Sequence, residues 1–299
     1  MTSYLITGGA GFIGSHLCET LLRNGHAVRV LDDLSSGKTA NLPQSADLVV
    51  GDIRDRSAVR AAMAGVDGCF HLAAVASVTR SVEEPALTAG VNIQGTVEVF
   101  AAALEVGVPV VYASSAAVYG RSGEPGAPLA EDAAPQPLSP YATEKLANEH
   151  YARALGETRG LRSFGLRFFN VYGPRQDPSS PYSGVISIFK DRAAAGVAIT
   201  ILGDGEQTRD FVHVSDVVSF LDAAMARACA SAPVANVATG RAVTVRHLAE
   251  TIARRSGVDI VHAPARGGDV RHSCGATKTA ERLLGTKAAI SLENGLDTL

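Results

Sequence analysis

Short apolar runs alternate with longer stretches of helical periodicity through the first half of the chain. The helical stretches predict helices at 15–24, 56–64, 90–106 and 140–159, and the apolar runs predict strands at 3–7, 27–32, 48–50, 68–72, 110–114 and 161–168. Alternation of this kind predicts βαβ units. The strands read as continuous apolar runs because such a sheet is buried on both faces. The expected fold class is therefore α/β, with a doubly wound parallel sheet.

The pattern of elements changes after about residue 170. A stretch rich in Pro, Ser and Gly at 173–184 predicts a loop. Beyond it we predict strands at 199–202 and 211–214 and helices at 185–195, 215–228 and 244–256, the last with Thr244 as N-cap. Residues 1–169, with a return segment near 203–235, are expected to form the sheet domain. Residues 170–202 and 236–299 are expected to form a smaller C-terminal α/β domain that covers the substrate.

Composition and charge narrow the function classes. A chain of 299 residues, of which 46% are hydrophobic, can bury a large core. The net charge of -3 gives no basic excess, so we expect no nucleic-acid partner and no membrane partner. The chain starts with a strand rather than a signal peptide, and no run approaches the roughly 20 apolar residues of a membrane span. We therefore expect a soluble cytoplasmic protein. No Cys or His cluster has metal-ligand spacing, so no metal site is expected.

A glycine-rich turn joins the first predicted strand to the first predicted helix. Gly8, Gly11 and Gly14 follow a G-x-x-G-x-x-G spacing, with Phe12 and Ile13 between the last two. Glycines let the backbone approach a pyrophosphate, whose charge then faces the helix N-terminus. The alternative is an ordinary turn between a strand and a helix. The location at the start of a βαβ unit favours a Rossmann-type dinucleotide site, with these five residues in contact with the cofactor.

Acidic residues at the ends of the next two strands indicate which dinucleotide binds. Asp32 ends the second predicted strand, where a carboxylate accepts hydrogen bonds from the adenosine ribose and repels a 2′-phosphate. This argues for NAD over NADP. Asp33 strengthens the repulsion or only caps the next turn. Asp52 and Ile53 follow the third strand and are expected to flank the adenine, although a turn at a strand end is the plainer interpretation of that Asp.

Tyr141 and Lys145 lie four positions apart on a predicted helix and therefore share a face. That helix starts at Ser139 and Pro140, so Tyr141 falls in its first turn, where the helix dipole favours an anion. A phenol must lose about three pKa units, roughly 4 kcal/mol, to act as a base at neutral pH. Lys145 and a nicotinamide charge are expected to supply this together. Ser115, after the fifth strand, is expected to hydrogen-bond the same substrate oxygen.

A Y-x-x-x-K pair alone is common on exposed helices, but here it accompanies a dinucleotide turn and a serine at a strand end. In this combination the chain resembles the extended short-chain dehydrogenases/reductases, and among them the UDP-glucose and UDP-N-acetylglucosamine 4-epimerases. The resemblance covers nearly the whole length. It rests on residues 7–14, 51–53, 71–74, 92, 114–120, 139–145, 167–173, 203–214 and 268–273.

The resemblance implies a mechanism and a wider cofactor site. Tyr141 takes the proton of the sugar 4-hydroxyl while hydride passes to a tightly bound NAD. The 4-ketose then turns its other face, and hydride and proton return with C4 inverted. The implied catalytic residues are Ser115, Tyr141 and Lys145. A homodimer through the helices at 90–106 and 140–159 is also implied. Further implied contacts with NAD come from Leu72, Ala73, Ala74, Asn92, Ser114, Tyr141, Lys145 and Phe169.

The same resemblance implies a site for a UDP-sugar in the last third of the chain. Arg209 and Arg266 correspond to a pyrophosphate clamp, since guanidinium groups suit phosphate oxygens, although each alone could be a surface charge. Asp269 takes the uridine ribose and Asn170 donates to the diphosphate. Ser273 stands beside the sugar 2-substituent, where a small residue admits an N-acetyl group. The uracil is expected to contact Thr200, Ile201 and Leu202.

The sequence also leaves three alternatives to a UDP-hexose 4-epimerase. Ala116 and Ala117 occupy positions where 4,6-dehydratases carry an Asp-Glu pair, and alanine can act neither as acid nor as base. A dehydratase or another sugar-nucleotide oxidoreductase is therefore the weaker alternative. A UDP-glucuronate 4-epimerase is a further alternative, with the carboxylate met by Arg192 or Arg271. The alternative outside enzymes is a scaffold protein that senses NAD.

Two further features qualify these expectations. Ala76 stands where many glucose epimerases of the family place a Lys near the nicotinamide, which implies looser retention of NAD. His71 follows a buried strand, and we expect a hydrogen-bonded core histidine there rather than a catalytic one. His213 and His272 are expected to be core histidines as well.

Overall fold

A computed structural model describes residues 1–122, 126–177, 184–265 and 270–299. The strands are β1 (Ser3–Thr7), β2 (Ala27–Asp32), β3 (Asp47–Val50), β4 (Gly68–His71), β5 (Val110–Ser115), β6 (Ser163–Phe168), β7 (Asn170–Tyr172), β8 (Ile199–Leu202), β9 (Thr208–Arg209), β10 (Phe211–His213), β11 (Val234–Val237), β12 (Val243–Thr244) and β13 (Ile260–Ala263). The helices are α1 (Phe12–Arg23), α2 (Arg56–Met63), α3 (Val78–Glu83), α4 (Pro85–Ala89), α5 (Thr96–Val106), α6 (Pro140–Arg159), α7 (Val185–Ala194), α8 (Val214–Met225), α9 (Val245–Ser256), α10 (Lys278–Leu284) and α11 (Leu292–Leu296). Short 3₁₀ turns lie at Thr39–Asn41 and Ala116–Tyr119, and a π-helical segment lies at Gly90–Gly95.

Seven strands form one parallel sheet in the order β11-β6-β5-β4-β1-β2-β3. Two cores, one on each face, bury the sheet between helices, which confirms the doubly wound α/β prediction. The strand order reverses between β1 and β4. In an open parallel sheet a ligand binds at the carboxyl ends of the strands at such a reversal. The turns after β1, β4 and β5 meet at this edge, so the candidate residues are brought to one place.

The last third of the chain builds a second, smaller core around α7 and α9. Tyr172, Phe189, Ile201 and Leu248 are among its buried residues. Three two-stranded sheets frame it: β7 with β10, β8 with β13, and β9 with β12. In contrast, α10 packs into the core of the main sheet through Ala280 and Leu284, so the C-terminal segment touches both cores. The division into two domains stays a prediction.

The structure differs from the sequence expectation along the fifth helical stretch. Instead of one helix at 90–106, the chain is helical from Pro85 to Val106, with the π-helical segment in the middle. Pro85 occupies the first turn of α4, a position that proline tolerates because its missing N–H has no helical partner there. Insertions of a π turn are frequent at functional sites. β11 joins the main sheet and runs to Val237, two residues beyond the predicted return segment near 203–235.

The stretch Pro85–Val106 is long and apolar enough to cross a membrane by length and composition alone, with a mean hydropathy of 1.2. In this fold it packs against α2 and α6, and many of its residues are buried. Core helices of soluble proteins pass the same test, so the stretch is weak evidence for a membrane span.

Candidate active site

The turn after β1 is built around glycines that leave no room for a side chain. Gly8 has a φ of 71°, and a Cβ added there would lie 2.7 Å from the Cα of Ala73. A Cβ added to Gly14 would lie 2.3 Å from the carbonyl oxygen of Gly8. The loop after β4 therefore lies directly against the glycine turn, which brings Leu72, Ala73 and Ala74 to the expected place.

The N-terminus of α1 faces the same edge of the sheet. Gly11 is its N-cap and has no side chain to bond the first N–H groups of the helix. Those groups, together with the helix dipole, form a ready site for an anionic phosphate. Phe12 and Ile13 start the helix, and both are half-buried. This turn is therefore suited to a dinucleotide pyrophosphate.

Asp32 lies at the end of β2 beside the glycine turn and is 7% exposed. One carboxylate oxygen accepts from Ala10 N and the other from Leu34 N, each at 2.9 Å. Burial raises the pKa of this carboxyl, and the two backbone hydrogen bonds counter the rise. Each oxygen keeps a second lone pair that can accept a ribose hydroxyl. Asp33 is exposed and accepts from the backbone and hydroxyl of Ser35, so it caps its own turn, the plainer of the two roles expected for it.

Of the two residues predicted after β3, Asp52 has its side chain at the surface and Ile53 has its side chain in the core. Asp52 forms an ion pair with Arg54. The side chain of Ile53 is buried and would meet a Cβ added to Gly95 on the π-helical segment at 2.6 Å. The Ile53 side chain fills the core between β3 and the helices. That Asp52 and Ile53 flank the adenine stays a prediction, and in Ile53 only the backbone is placed to make such a contact.

The three predicted catalytic side chains come together at the end of β5. The Ser115 hydroxyl accepts from Ala117 N at 3.1 Å and lies close enough to the Tyr141 phenol to lower its pKa. Lys145 Nζ donates to the carbonyl oxygen of Ala113 at 3.0 Å and lies 5.9 Å from the centroid of the Tyr141 ring. α6 starts as predicted, with Pro140 in its first turn and Ser139 as N-cap.

The electrostatics of this group differ from the sequence expectation. Burial raises the pKa of Tyr141 above its ordinary value; the bond to Ser115 lowers it and the charge of Glu144 raises it further. Burial also lowers the pKa of Lys145 to about 8, although Glu144 opposes this. Burial therefore opposes the activation of the phenol that the sequence predicts.

Two buried polar residues that hold this site, Ser81 and Glu144, were not singled out from the sequence. The buried Ser81 hydroxyl accepts from Tyr141 N at 3.1 Å and so fixes the start of α6 against α3. The buried carboxylate of Glu144 accepts from Thr88 Oγ1 at 2.7 Å and from Asn92 Nδ2 at 2.6 Å. Their shared signal is a polar residue at a helix position that the apolar periodicity assigns to the core.

Asn92, Ser114 and Phe169, three of the predicted cofactor residues, make contacts within the protein. The Asn92 amide bonds the N–H and carbonyl of Val75 as well as Glu144, so it holds the loop after β4 rather than reaching outward. The buried Ser114 hydroxyl donates to Glu149 at 2.5 Å. Phe169 is buried in a cluster with Val118, Tyr119 and Leu129. Contact of these three residues with the cofactor stays a prediction; the polar side-chain groups of Asn92 and Ser114 already have partners within the protein.

The residues expected to grip the nucleotide are only partly described. Arg266 and Asp269 lie outside the described residues. Arg209 Nη1 donates to the carbonyl oxygens of Thr208 and Val270, at 2.8 and 2.7 Å. Asn170 starts β7, where its N–H donates to Asp210 O at 2.9 Å. The side chain of Ile201 is 1% exposed and belongs to the second core, so only Thr200 and Leu202 present side chains on the other face of β8.

The neighbouring segment is organised by Asp210, whose carboxylate is fully buried. It accepts from the backbone N–H groups of Thr239, Gly240 and Gly275, at 2.8, 2.9 and 3.2 Å, while the backbone of Asp210 accepts from Asn170 N. The bond to Gly275 fixes the chain that follows Ser273, which is half-buried next to the buried Cys274. Asp210 was not predicted to be functional, although it lies next to Arg209 in the sequence.

The two arginines considered for a carboxylate-bearing sugar are tied to the protein. Arg192 Nε donates to Ala198 O at 2.7 Å, near the end of α7. Arg271 makes a bidentate ion pair with Asp204, at 2.7 and 2.8 Å. The residue-level argument for UDP-glucuronate is therefore weakened, since both guanidinium groups already have partners.

The histidine expectations hold for two of three residues. His71 is buried, and its ring nitrogens bond the hydroxyls of Thr7 and Thr96, at 2.7 and 2.9 Å. His213 is buried and caps α8. His272 is exposed instead of buried, so the expectation of a core histidine is wrong there; its Nδ1 lies 3.3 Å from Thr208 Oγ1.

Comparison with known proteins agrees with this geometry. Residues 4–238 match the NAD dependent epimerase/dehydratase family. A UDP-glucose 4-epimerase of Mycolicibacterium smegmatis is 39% identical over 98% of this chain and 95% of its own length. The crystal structure of UDP-glucose 4-epimerase from Thermotoga maritima with UDP-glucose has a TM-score of 0.95 and 38% identity, covering 99% of this chain and 97% of that one.

A third similar protein is the UDP-N-acetylglucosamine 4-epimerase from Methanobrevibacter ruminantium, solved in complex with UDP-N-acetylmuramic acid. Its TM-score is 0.92 at 34% identity, and the match covers 99% of this chain and 97% of that one. The glycine turn, the uncapped start of α1 and the acceptor Asp32 fit NAD in this chain as well. The chain belongs to the NAD-dependent epimerase/dehydratase family, and its cofactor is NAD.

Proposed function

We propose that this chain is an NAD-dependent 4-epimerase that interconverts UDP-glucose and UDP-galactose, and UDP-N-acetylglucosamine and UDP-N-acetylgalactosamine. The observation that carries the proposal is the grouping of Ser115, Tyr141 and Lys145 at the sheet edge where the glycine turn lies. The similarity to UDP-sugar 4-epimerases over nearly the full length of both chains supports the choice of reaction.

In the proposed reaction the side chains of the protein handle one proton. Tyr141 accepts the proton of the sugar 4-hydroxyl, and Ser115 hydrogen-bonds the same oxygen and holds it in line. Bound NAD would supply the acceptance of a hydride from C4 and its return to the opposite face of the 4-ketose. Tyr141 then gives its proton back to the new hydroxyl, so the protein, the cofactor and the oxidation state of the sugar end unchanged. Lys145 holds its positive charge beside the ring while the phenol is ionised.

A dehydratase is the weaker candidate because its additional acid and base have no counterpart after Ser115. The 3₁₀ turn that follows carries Ala116 and Ala117, which can neither protonate a leaving hydroxyl nor remove a C5 proton. A UDP-glucuronate 4-epimerase is also weaker, because Arg192 and Arg271 are bound to Ala198 and Asp204.

The tolerance of N-acetylated sugars rests on Ser273. This residue is small and half-buried, and it lies in the segment that Asp210 fixes through Gly275. A small side chain leaves room for a substituent at the sugar C2. Arg209, Asn170, Thr200 and Leu202, with Arg266 and Asp269, are proposed to hold the UDP moiety.

The proposal includes a cytoplasmic homodimer. Its support is apolar surface on adjoining helices: Val82 on α3 is 63% exposed, Tyr151 on α6 is 45% exposed, and α3 packs against α6. A soluble protein gains by covering such side chains with a second copy. The division into a cofactor domain and a substrate domain is proposed on the two separate cores.

One experiment separates these possibilities. The purified protein is incubated with each of the UDP-sugars named above and with UDP-glucuronate, the C4 epimers are separated, and NADH absorbance is followed. Interconversion without net NADH supports the proposal. Stoichiometric NADH would indicate an oxidoreductase, loss of the 6-oxygen a dehydratase, and tight NAD binding without turnover a scaffold protein.

A further inference from the structure

Glu144 is a buried carboxylate on the catalytic helix, between Tyr141 and Lys145. It is 3% exposed and accepts hydrogen bonds from Thr88 on α4 and Asn92 on the π-helical segment. A buried carboxylate is unfavourable unless it is hydrogen-bonded and compensated by a positive charge. The two hydrogen bonds satisfy the first requirement. Lys145, the next residue of α6 and 4% exposed, carries the positive charge that interacts with the carboxylate without a direct hydrogen bond.

The same contacts connect the catalytic helix to the loop after β4. Asn92 Nδ2 donates to Glu144 and also to the carbonyl oxygen of Val75, the latter at 3.1 Å. Asn92 Oδ1 accepts from Val75 N at 2.8 Å. Val75 follows the loop that lies against the glycine turn at Gly8. Glu144 on α6 is therefore linked through Asn92 to the loop after β4.

We propose that Glu144 is a positioning residue of the catalytic centre: through Asn92 it ties α6 to the loop at Val75, and its buried charge acts on its α6 neighbours Tyr141 and Lys145. It acts through Tyr141 and Lys145 and does not itself touch the reacting atoms. The inference rests on the proposed roles of Tyr141 and Lys145.

The surroundings contain few other charges that could replace it. Among the described residues, the titratable groups next to Lys145 are Tyr141 and Glu144 on α6 and His71 on β4. Burial lowers the pKa of His71 to about 3, so this ring is neutral in any ordinary assay. Glu149, further along α6, is already paired with Arg167 at 2.7 Å.

The substitution Glu144→Gln removes the charge while keeping the hydrogen bonds. The Gln carbonyl oxygen can accept from Asn92, and its amide can donate to Thr88 Oγ1, which also lies 3.3 Å from Pro85 O as a donor. Because Glu144 raises the pKa of both Lys145 and Tyr141, its neutralisation lowers both. The base then forms at lower pH, and Lys145 also loses its proton at lower pH.

The test compares pH profiles of kcat for the wild type, Glu144→Gln and the control Glu157→Gln, which removes an exposed charge from the same helix. We expect both limbs of the Glu144→Gln profile to shift down by about one pH unit or more, since a nearby buried charge moves a pKa by that much. The control profile is expected to coincide with that of the wild type. Titration of tyrosinate absorbance in the cofactor-free proteins, with Tyr141→Phe as reference, gives the same comparison without turnover.

The outcomes are distinguishable. Loss of activity or of thermal stability in Glu144→Gln with unmoved limbs would make Glu144 a structural residue and overturn the inference. Limbs and kcat equal to those of the control would also overturn it. Thr88→Val keeps the charge and removes one hydrogen bond, so it is expected to leave the limbs in place; a shift like that of Glu144→Gln would contradict a role of the charge. Retained activity in Tyr141→Phe would instead remove the proposed function.

Discussion

The ammonium group of Lys145 lies over the face of the Tyr141 ring, 5.9 Å from its centroid, while its Nζ donates to the carbonyl oxygen of Ala113 at 3.0 Å. The charge of Lys145 therefore interacts with the Tyr141 ring without a hydrogen bond to the phenol. Its hydrogen bond to Ala113 holds the lysine side chain at the end of β5. The side chain that lowers the pKa of the phenol is Ser115. Proton transfer and charge stabilisation are thus assigned to different side chains, which can be tested separately.

We expect Tyr141→Phe to lower kcat by about 10²–10⁴-fold, the range that a general acid–base residue contributes. The ring and its packing against Lys145 stay, so NAD binding and thermal stability are expected to stay close to those of the wild type. The measurement is epimer formation from UDP-galactose, with bound NAD determined after denaturation. Tyr151→Phe is the matched control on the same helix, where the side chain is 45% exposed. Full activity of Tyr141→Phe would show that another group is the base.

The stability of the cofactor-free protein is expected to depend on Lys145 and pH. Burial lowers the pKa of Lys145 to about 8, below its ordinary 10.5, so between these values the unfolded chain binds more protons than the folded one. The free energy of unfolding therefore gains a contribution that rises with pH in this window. Below pH 8 that contribution is absent, because Lys145 is protonated in both states.

Denaturant unfolding of the wild type and Lys145→Met at pH 7.5 and 9.5 measures this contribution. We expect the difference in free energy between the two proteins to change by about 2 kcal/mol in favour of the wild type as pH rises. Lys287→Met, which alters an exposed lysine, should give a difference that is independent of pH. If the difference in free energy of unfolding between wild type and Lys145→Met were also independent of pH, the ammonium group of Lys145 would be hydrated in the folded protein.

Local signals in the sequence predict much of this fold. α6 has the predicted bounds because Ser139 caps it, Pro140 starts it and Gly160 ends it in a left-handed conformation. The parallel sheet follows from apolar runs that alternate with helices. The grouping of Ser115, Tyr141 and Lys145, the proposed catalytic residues, is predictable because Ser115 ends β5 and Tyr141 and Lys145 lie one turn apart near the start of α6.

Contacts between distant polar residues are not predictable in this way. Glu144 and Asn92 are 52 positions apart, and nothing in the periodicity of either helix indicates that a carboxylate and an amide meet in the core. The direction of the Tyr141 pKa shift was missed for a related reason. Desolvation depends on the packing of several elements around one oxygen, whereas the sequence reveals only the nearby positive charge.

Gly14→Ala is expected to weaken NAD binding strongly. A Cβ at this position would lie 2.3 Å from Gly8 O and 2.7 Å from Gly9 Cα, so the turn must open where it has to approach a pyrophosphate. We expect loss of copurified NAD and a rise in the Kd for NAD of at least about 10-fold, which corresponds to roughly 1.4 kcal/mol. Gly90→Ala is the control, because its Cβ would meet only Arg54 Cδ at 3.8 Å. Wild-type NAD content in Gly14→Ala would place the cofactor away from this turn.

Ser273→Tyr is expected to separate the two classes of substrate. Ser273 is half-buried, and the backbone that follows it is held by Asp210 through Gly275 N, at 3.2 Å, so the segment cannot easily move away from a larger side chain. A Tyr ring there occupies the space proposed for an N-acetyl group at C2 but leaves room for a hydroxyl. We expect kcat/KM for UDP-N-acetylgalactosamine to fall on the order of 10–100-fold, and that for UDP-galactose to change little. Ser231→Tyr adds the same ring at an exposed turn and controls for the substitution itself. An equal fall for both sugars would mean that Ser273 affects the site through folding or UDP binding rather than through the volume beside C2.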